Sequence, residues 1–212
     1  MQRCFSVLAL CFSPDGSKLV IGGYDNKAAV YDTSSWTEIA SMQRRDSVLA
    51  LCFSPDGSKL AVGGYDNKAA VYDTSSWTEL AFMQRRFSAN ALCFSPDGSK
   101  LVVGGYDNKA AVYETSSWTE IASMQRRDSV YALCFSPDGS KLVVGGVDKE
   151  AAVYDTSSWT ELEDELPASV KARDDLEREV SLLASSQTIL NERIKALEEM
   201  VKKLAPHRTE AN

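Results

Sequence analysis

The chain has 212 residues, 44% of them apolar and 25% charged, with a formal charge of −7, five cysteines and a single histidine. That apolar share is enough to bury a core, which excludes a disordered chain, and the acidic balance makes nucleic acid and anionic membranes poor partners. No apolar run approaches the roughly 20 residues that cross a bilayer, and the first residues lack a secretory-signal pattern, so the expected location is cytoplasmic.

A 41-residue unit, Val7–Ser47, recurs from Val48, Ala89 and Val130, so that residues 7–47, 48–88, 89–129 and 130–162 are four copies, the last one shortened. Within the first copy, the apolar run Val7–Phe12 predicts a buried strand. It stops at Ser13-Pro14-Asp15-Gly16, where proline presets φ and glycine permits a tight turn. Lys18–Gly23 predicts a second strand, in which Gly22-Gly23 marks a bulge or a close pass of two backbones. After a turn at Tyr24-Asp25-Asn26, Ala28–Tyr31 predicts a third strand. After Asp32-Thr33-Ser34-Ser35, alternation from Trp36 to Met42 predicts a fourth, outer strand. Four short antiparallel strands per copy describe the blades of an all-β propeller over residues 1–162, not a helical solenoid.

Phe12-Ser13-Pro14-Asp15-Gly16, Gly22-Gly23-Tyr24-Asp25 and Val30-Tyr31-Asp32 resemble the WD-repeat propeller family, with tyrosine in place of the signature tryptophan. The resemblance recurs in all four copies. Two departures stand beside it: Arg45-Asp46 occupies the place of the family's Gly-His pair, and glycine replaces the Ser/Thr of the second strand. The His–Ser–Asp–Trp hydrogen-bond network that the resemblance implies is therefore incomplete, and Asp25, Asp66, Asp107 and Asp148 are expected to fix their own turns by accepting nearby backbone N–H bonds. The near-identity of the copies fits recent amplification or a designed or selected repeat protein without a natural ligand.

Tyr24, Arg44, Arg45, Tyr65, Arg85, Arg86, Tyr106, Arg126 and Arg127 should gather on one face of the ring. Arginine beside tyrosine suits a carboxylate or phosphate, through bidentate bonds and an amphipathic ring, and the family it resembles commonly holds partner peptides on such rings. Cys11, Cys52, Cys93 and Cys134 share one repeat position, about 10 Å apart on neighbouring sheets, and are expected as small buried thiols, not disulfides. No nucleophile, base and orienting acid come together, no metal motif is present, and the only histidine, His207, lies near the end. A noncatalytic protein without cofactor or metal is expected, the alternative being a propeller enzyme that uses its central channel.

The fourth copy breaks at Leu162-Glu163-Asp164-Glu165-Leu166. Residues 163–170 are expected as a linker, 171–205 as a coiled-coil helix and 206–212 as a flexible tail. Leucine recurs every seventh residue at Leu176, Leu183, Leu190, Leu197 and Leu204, with Arg173, Val180, Gln187, Ile194 and Val201 at the alternate seam positions. This leucine-zipper pattern favours a parallel pair of chains. Four blades in an open arc leave two sheet faces bare. Two chains joined head to tail into an eight-bladed homodimer would cover them, with closure on four blades, a fragment of a longer array, or zippers linking separate rings as the other solutions.

Overall fold

The computed structural model describes residues 5–162, and every regular element among them is a strand. The first blade is β1 (Val7–Phe12), β2 (Lys18–Gly23), β3 (Lys27–Asp32) and β4 (Glu38–Gln43). The second is β5 (Val48–Phe53), β6 (Lys59–Gly64), β7 (Lys68–Asp73) and β8 (Glu79–Gln84). Then come β9 (Ala89–Phe94), β10 (Lys100–Gly105), β11 (Lys109–Glu114) and β12 (Glu120–Gln125). The fourth blade is β13 (Val130–Phe135), β14 (Lys141–Gly146), β15 (Ala151–Asp155) and a short β16 (Thr160–Leu162). Each blade is a four-stranded antiparallel sheet in sequence order. The expected coiled coil, its seam residues, the linker and the tail lie outside the described residues.

The turns explain why the strands stop where they do. Gly16 takes φ 71° and donates to the Ser13 carbonyl, while the Asp15 carboxylate accepts from the N–H and hydroxyl of Ser17. Thr33 Oγ1 then donates to the Gly16 carbonyl at 2.8 Å, tying this turn to the one between β3 and β4. The outer strand begins two residues later than expected. Trp36 sits in the left-handed region at φ 55° because its N–H donates to the Asp32 carbonyl, so it ends the turn and the strand starts at Glu38. The Gly22-Gly23 expectation has its counterpart in a register shift between Val7 and Ala9 opposite those glycines. At Gly64, the same position one copy on, an added Cβ would fall onto the Ser47 carbonyl oxygen, well inside van der Waals contact. Gly64→Ala is expected to lose about 1–3 kcal/mol, read as a lower urea midpoint; an unchanged midpoint would contradict this close pass.

Serine donors hold the carboxyls of Asp32, Asp56, Asp73, Asp97 and Asp138 at about 2, below the ordinary 3.8. Because these folded-state values are depressed, their stabilisation is present above the ordinary value and is lost as pH falls through 3.8 toward 2. The urea midpoint is therefore expected to decline below about pH 4. A midpoint that rises on acidification would contradict the assignment.

Blades pack in series through their inner strands, β1 on β5, β5 on β9 and β9 on β13. One face of the first blade offers Val20, Ala28, Val30 and Met42, and the second blade covers it with Val48, Phe53, Leu60, Val62, Ala70 and Tyr72. The next two seams repeat this list with its counterparts. The series does not close on itself. Phe53, Phe94 and Phe135 are buried in seams, whereas their counterpart Phe12 is 56% exposed, together with Leu10 at 63% and Trp36 at 51%. The far face of the fourth blade is bare as well: Val143 is 36% exposed where Val20 and Val102 are fully buried.

The cysteines differ from expectation. Cys11, Cys52 and Cys93 are half-buried beside the seams and Cys134 is exposed on the bare fourth blade, since burial at this position depends on the next blade. Burial pushes the Cys52 thiol up to about 12, which makes it a poor nucleophile.

Candidate ligand-binding face

The loops that enter each blade and the turns between its second and third strands lie at the same end of the sheets. Here the structure separates the two arginines of each pair. Arg44 turns inward: its Nε and Nη2 donate to the two oxygens of Asp66, each at 2.8 Å, Nη2 also to the Lys68 carbonyl at 2.8 Å, and Nη1 to the Tyr72 hydroxyl at 3.4 Å. Both side chains of the ion pair are buried. Burial pulls the Arg44 guanidinium down and its Asp66 and Tyr72 partners overcompensate, leaving it above its ordinary value. Arg126 repeats the arrangement on Asp148 and the Tyr154 hydroxyl.

Arg85 makes a thinner version, with Nη2 donating to Asp107 at 2.7 Å and to the Lys109 carbonyl at 2.9 Å while its Nε has no partner.

Two expectations are corrected by this geometry. Arg44, Arg85 and Arg126 are not ligand-binding groups on the ring face, because a buried carboxylate consumes each of them. Asp66, Asp107 and Asp148 do not chiefly cap their own turns; they receive a guanidinium from the loop that enters the blade. Arginine and tyrosine thus take the roles that the network implied by the resemblance gives to histidine and tryptophan, and the arginine that does so is Arg44, not a residue of the Arg45-Asp46 pair expected at the Gly-His place. The sequence carried a signal for this: Met1-Gln2-Arg3-Cys4 matches Met42-Gln43-Arg44-Arg45, so arginine recurs at the first position of the pair, not at the second.

What remains on the surface is Arg45, Arg86 and Arg127, all exposed, together with a row of aromatic rings. Tyr65 and Tyr106 lie 6.4 Å apart between ring centroids, and Tyr131 meets Tyr106 edge-on at 5.6 Å. Tyr24 is exposed at the equivalent position of the first blade, and Val147 replaces it in the fourth. The Tyr106 hydroxyl holds the Tyr65 phenol above its ordinary value, and the Tyr131 hydroxyl holds that of Tyr106 above its own against the opposite pull of Tyr65. Tyr131 is not legible as a site residue from the repeat, because it comes from the inner strand of the fourth blade, not from the turn that supplies the others.

The entry to the third blade departs from the pattern. In the second and fourth blades Asp46 and Asp128 accept from Ser47 and Ser129. Phe87 removes that acceptor, so the Ser88 hydroxyl is buried without a partner, as are both polar atoms of the Asn90 side chain. The Arg86 guanidinium lies 5.4 Å from the Phe87 ring centroid instead. At the rim, a groove lined by Arg45, Lys68, Glu79, Phe82 and Gln84 recurs one seam on with Arg86, Lys109 and Glu120. No cluster of histidine, cysteine or acidic side chains suited to a metal occurs among the described residues.

Four-stranded blades of this topology and the sequence of their turns define a WD-repeat β-propeller, and a family model described as "WD domain, G-beta repeat" matches residues 3–32. A second model, described as "Eukaryotic translation initiation factor eIF2A", matches residues 37–153, more than half of the chain, and the chain belongs to that family. WD repeats in general are protein-interaction scaffolds, and proteins built from them generally bind protein partners. No curated protein matches the chain. A solved structure described as "Structure of U3-55K" has the same fold, with a TM-score of 0.70 at 19% identity over 76% of this chain and 52% of that one. The chain thus spans about half the length of that structure.

Proposed function

We propose that the protein is a noncatalytic, cytoplasmic scaffold that holds a peptide or protein segment on its ring face. The observation that carries this reading is the row Tyr65, Tyr106 and Tyr131 with the unburied Arg45, Arg86 and Arg127 on the same end of the blades. Large, nearly rigid rings supply contact area at low entropic cost, and flanking guanidinium groups favour a segment with acidic side chains. The family description names translation initiation. The blades themselves are net acidic, with 15 basic and 19 acidic residues up to Leu162, which favours a protein partner over RNA. Selection from a random peptide display library tests the reading. Peptides retained by the protein and lost on Tyr106→Ala, with the unfolding midpoint unchanged, are the expected result; no peptide above background would overturn it.

The scaffold is further proposed to be a head-to-tail homodimer that completes an eight-bladed ring, with the zipper-like segment holding the pair. Gly145 supports this. A Cβ added to Gly22 or Gly104 would strike Val48 or Val130 of the next blade, whereas one on Gly145 meets only Ala132 of its own blade at 3.8 Å. The fourth blade therefore keeps an open socket of the kind that receives a valine elsewhere, and the exposed Val7 of a second copy is its counterpart.

A further inference from the structure

We propose that the entry to the third blade is a carboxylate seat, filled from outside by an aspartate or glutamate side chain of the bound segment. This rests on the peptide-holding reading above and names the group by which such a segment is anchored. At the second blade Asp46 Oδ1 accepts from the Ser47 N–H at 2.6 Å and from its hydroxyl at 3.1 Å. At the fourth blade Asp128 does the same for Ser129, at 2.7 Å and 3.2 Å. Two blades thus set a pair of donors around one carboxylate oxygen of their own.

At the third blade the donors remain and the oxygen is gone. Phe87 replaces the aspartate, and the hydroxyl of Ser88, a residue only 3% exposed, has no partner. Phe5 stands at the same position before Ser6, but Ser6 is exposed, so water serves its hydroxyl. Leaving a buried donor unmade is costly, and a ligand oxygen delivered to it recovers that cost.

The surrounding charges favour an anion at this entry over the others. Arg45 is followed by Asp46, while Arg127 is followed by Asp128 and also donates to Glu150 at 3.2 Å. Arg86 is followed by Phe87 and makes no ion pair among the described residues. Its guanidinium lies 5.4 Å from the Phe87 ring centroid, and that ring is 46% exposed. A carboxylate that draws Arg86 off the ring leaves Phe87 to turn toward water, which opens the way to Ser88. Lys109 stands at the third blade where the fourth has Glu150, so the same approach is less acidic here.

Asn90 supplies a second contact. It is the extra residue at the register shift where Ala89 faces Gly105 and Ala91 faces Gly104, and both polar atoms of its side chain are buried without partners. Leu49 and Tyr131 hold this position in the neighbouring blades, and Tyr131 belongs to the aromatic row. A carboxamide offers a donor and an acceptor side by side, which matches the main-chain amide next to the anchored carboxylate. The seat adjoins the middle of the row, because the Tyr106 N–H donates to the Ser88 carbonyl at 3.2 Å.

Two pools of random-sequence peptides, one with aspartate and one with asparagine fixed at the central position, test the seat on the immobilised full chain. The aspartate pool is expected to be retained about 10- to 100-fold better, the factor lost when a hydrogen bond to a charged group becomes one to an amide. Phe87→Asp should abolish this preference and raise the urea midpoint, because the blade then fills its own seat as Asp46 and Asp128 fill theirs. Ser88→Ala, which changes no charge, should cut the preference several-fold without lowering the midpoint. A preference that survives Ser88→Ala would come from the field of Arg86 alone and would overturn the seat. Equal retention of both pools, lost on Tyr106→Ala, would overturn it as well while leaving the peptide-holding reading intact. Retention of neither pool would remove both.

Discussion

Arg44→Ala is expected to destabilise the protein by about 3–5 kcal/mol, because it strands the Asp66 carboxylate in a buried site without its counter-charge. The loss exceeds that of a surface ion pair, whose median is about 0–1 kcal/mol, since neither partner has water to fall back on. Arg44→Lys should recover only part of it: an ammonium cannot make the two parallel bonds to Asp66 and still reach the Lys68 carbonyl. Arg45→Ala, one residue on and exposed, should move the urea midpoint by no more than about 0.5 kcal/mol. Equal effects at the two positions would show that the inward and outward roles have been misassigned. Arg85→Ala should lose less than Arg44→Ala, because its Nε is already unpartnered and Asp107 is less deeply buried than Asp66.

Phe12→Asp is expected to separate the proposed dimer into monomers. Phe12 is more than half exposed in the single chain, and its counterparts in the interior seams are buried. Removing the ring from a seam and placing a carboxylate there costs about 3 kcal/mol per seam, and a ring of two chains has two such seams, so the dimer should weaken about 10⁴-fold. Light scattering on residues 1–166 reads this without the zipper-like segment, since Met1–Leu162 is a compact unit by itself. Gly145→Val provides an independent check from the opposite flank. It fills the open socket and its Cβ meets only Ala132 of its own blade, at an ordinary 3.8 Å contact, so it should block pairing while leaving the unfolding midpoint of the monomer unchanged. Phe82→Asp is the negative control. Phe82 points outward beneath the Lys68 ammonium, 4.2 Å from its ring centroid, and no seam needs it. A parent chain that is monomeric, or a Phe12→Asp protein that remains dimeric, would remove the head-to-tail pairing.

Local chemistry made most of the blade legible in the sequence. Pro14 and Gly16 end the first strand, Gly22-Gly23 accompany its register shift, and the apolar stretch of β6 reflects a sheet packed on both faces. Sequence alone starts the outer strand too early, because alternation from Trp36 looks extended, whereas a hydrogen bond to Asp32 curls that residue into the left-handed region. The binding face was harder. Arg44 and Arg45 are identical in kind, and only the position of a carboxylate distant in sequence decides which of them is buried. Tyr131 joins the aromatic row through packing between blades, which spacing within one copy does not encode.

The interior seams are built from nearly the same residues in the same order. In the proposed head-to-tail pairing, a further seam of the same kind carries no intrinsic stop signal, because each copy can accept another. The angle between successive blades alone then decides between a finite wheel and an endless filament. A substitution that altered this angle by a few degrees, with every contact retained, would change the number of subunits and not the strength of their association.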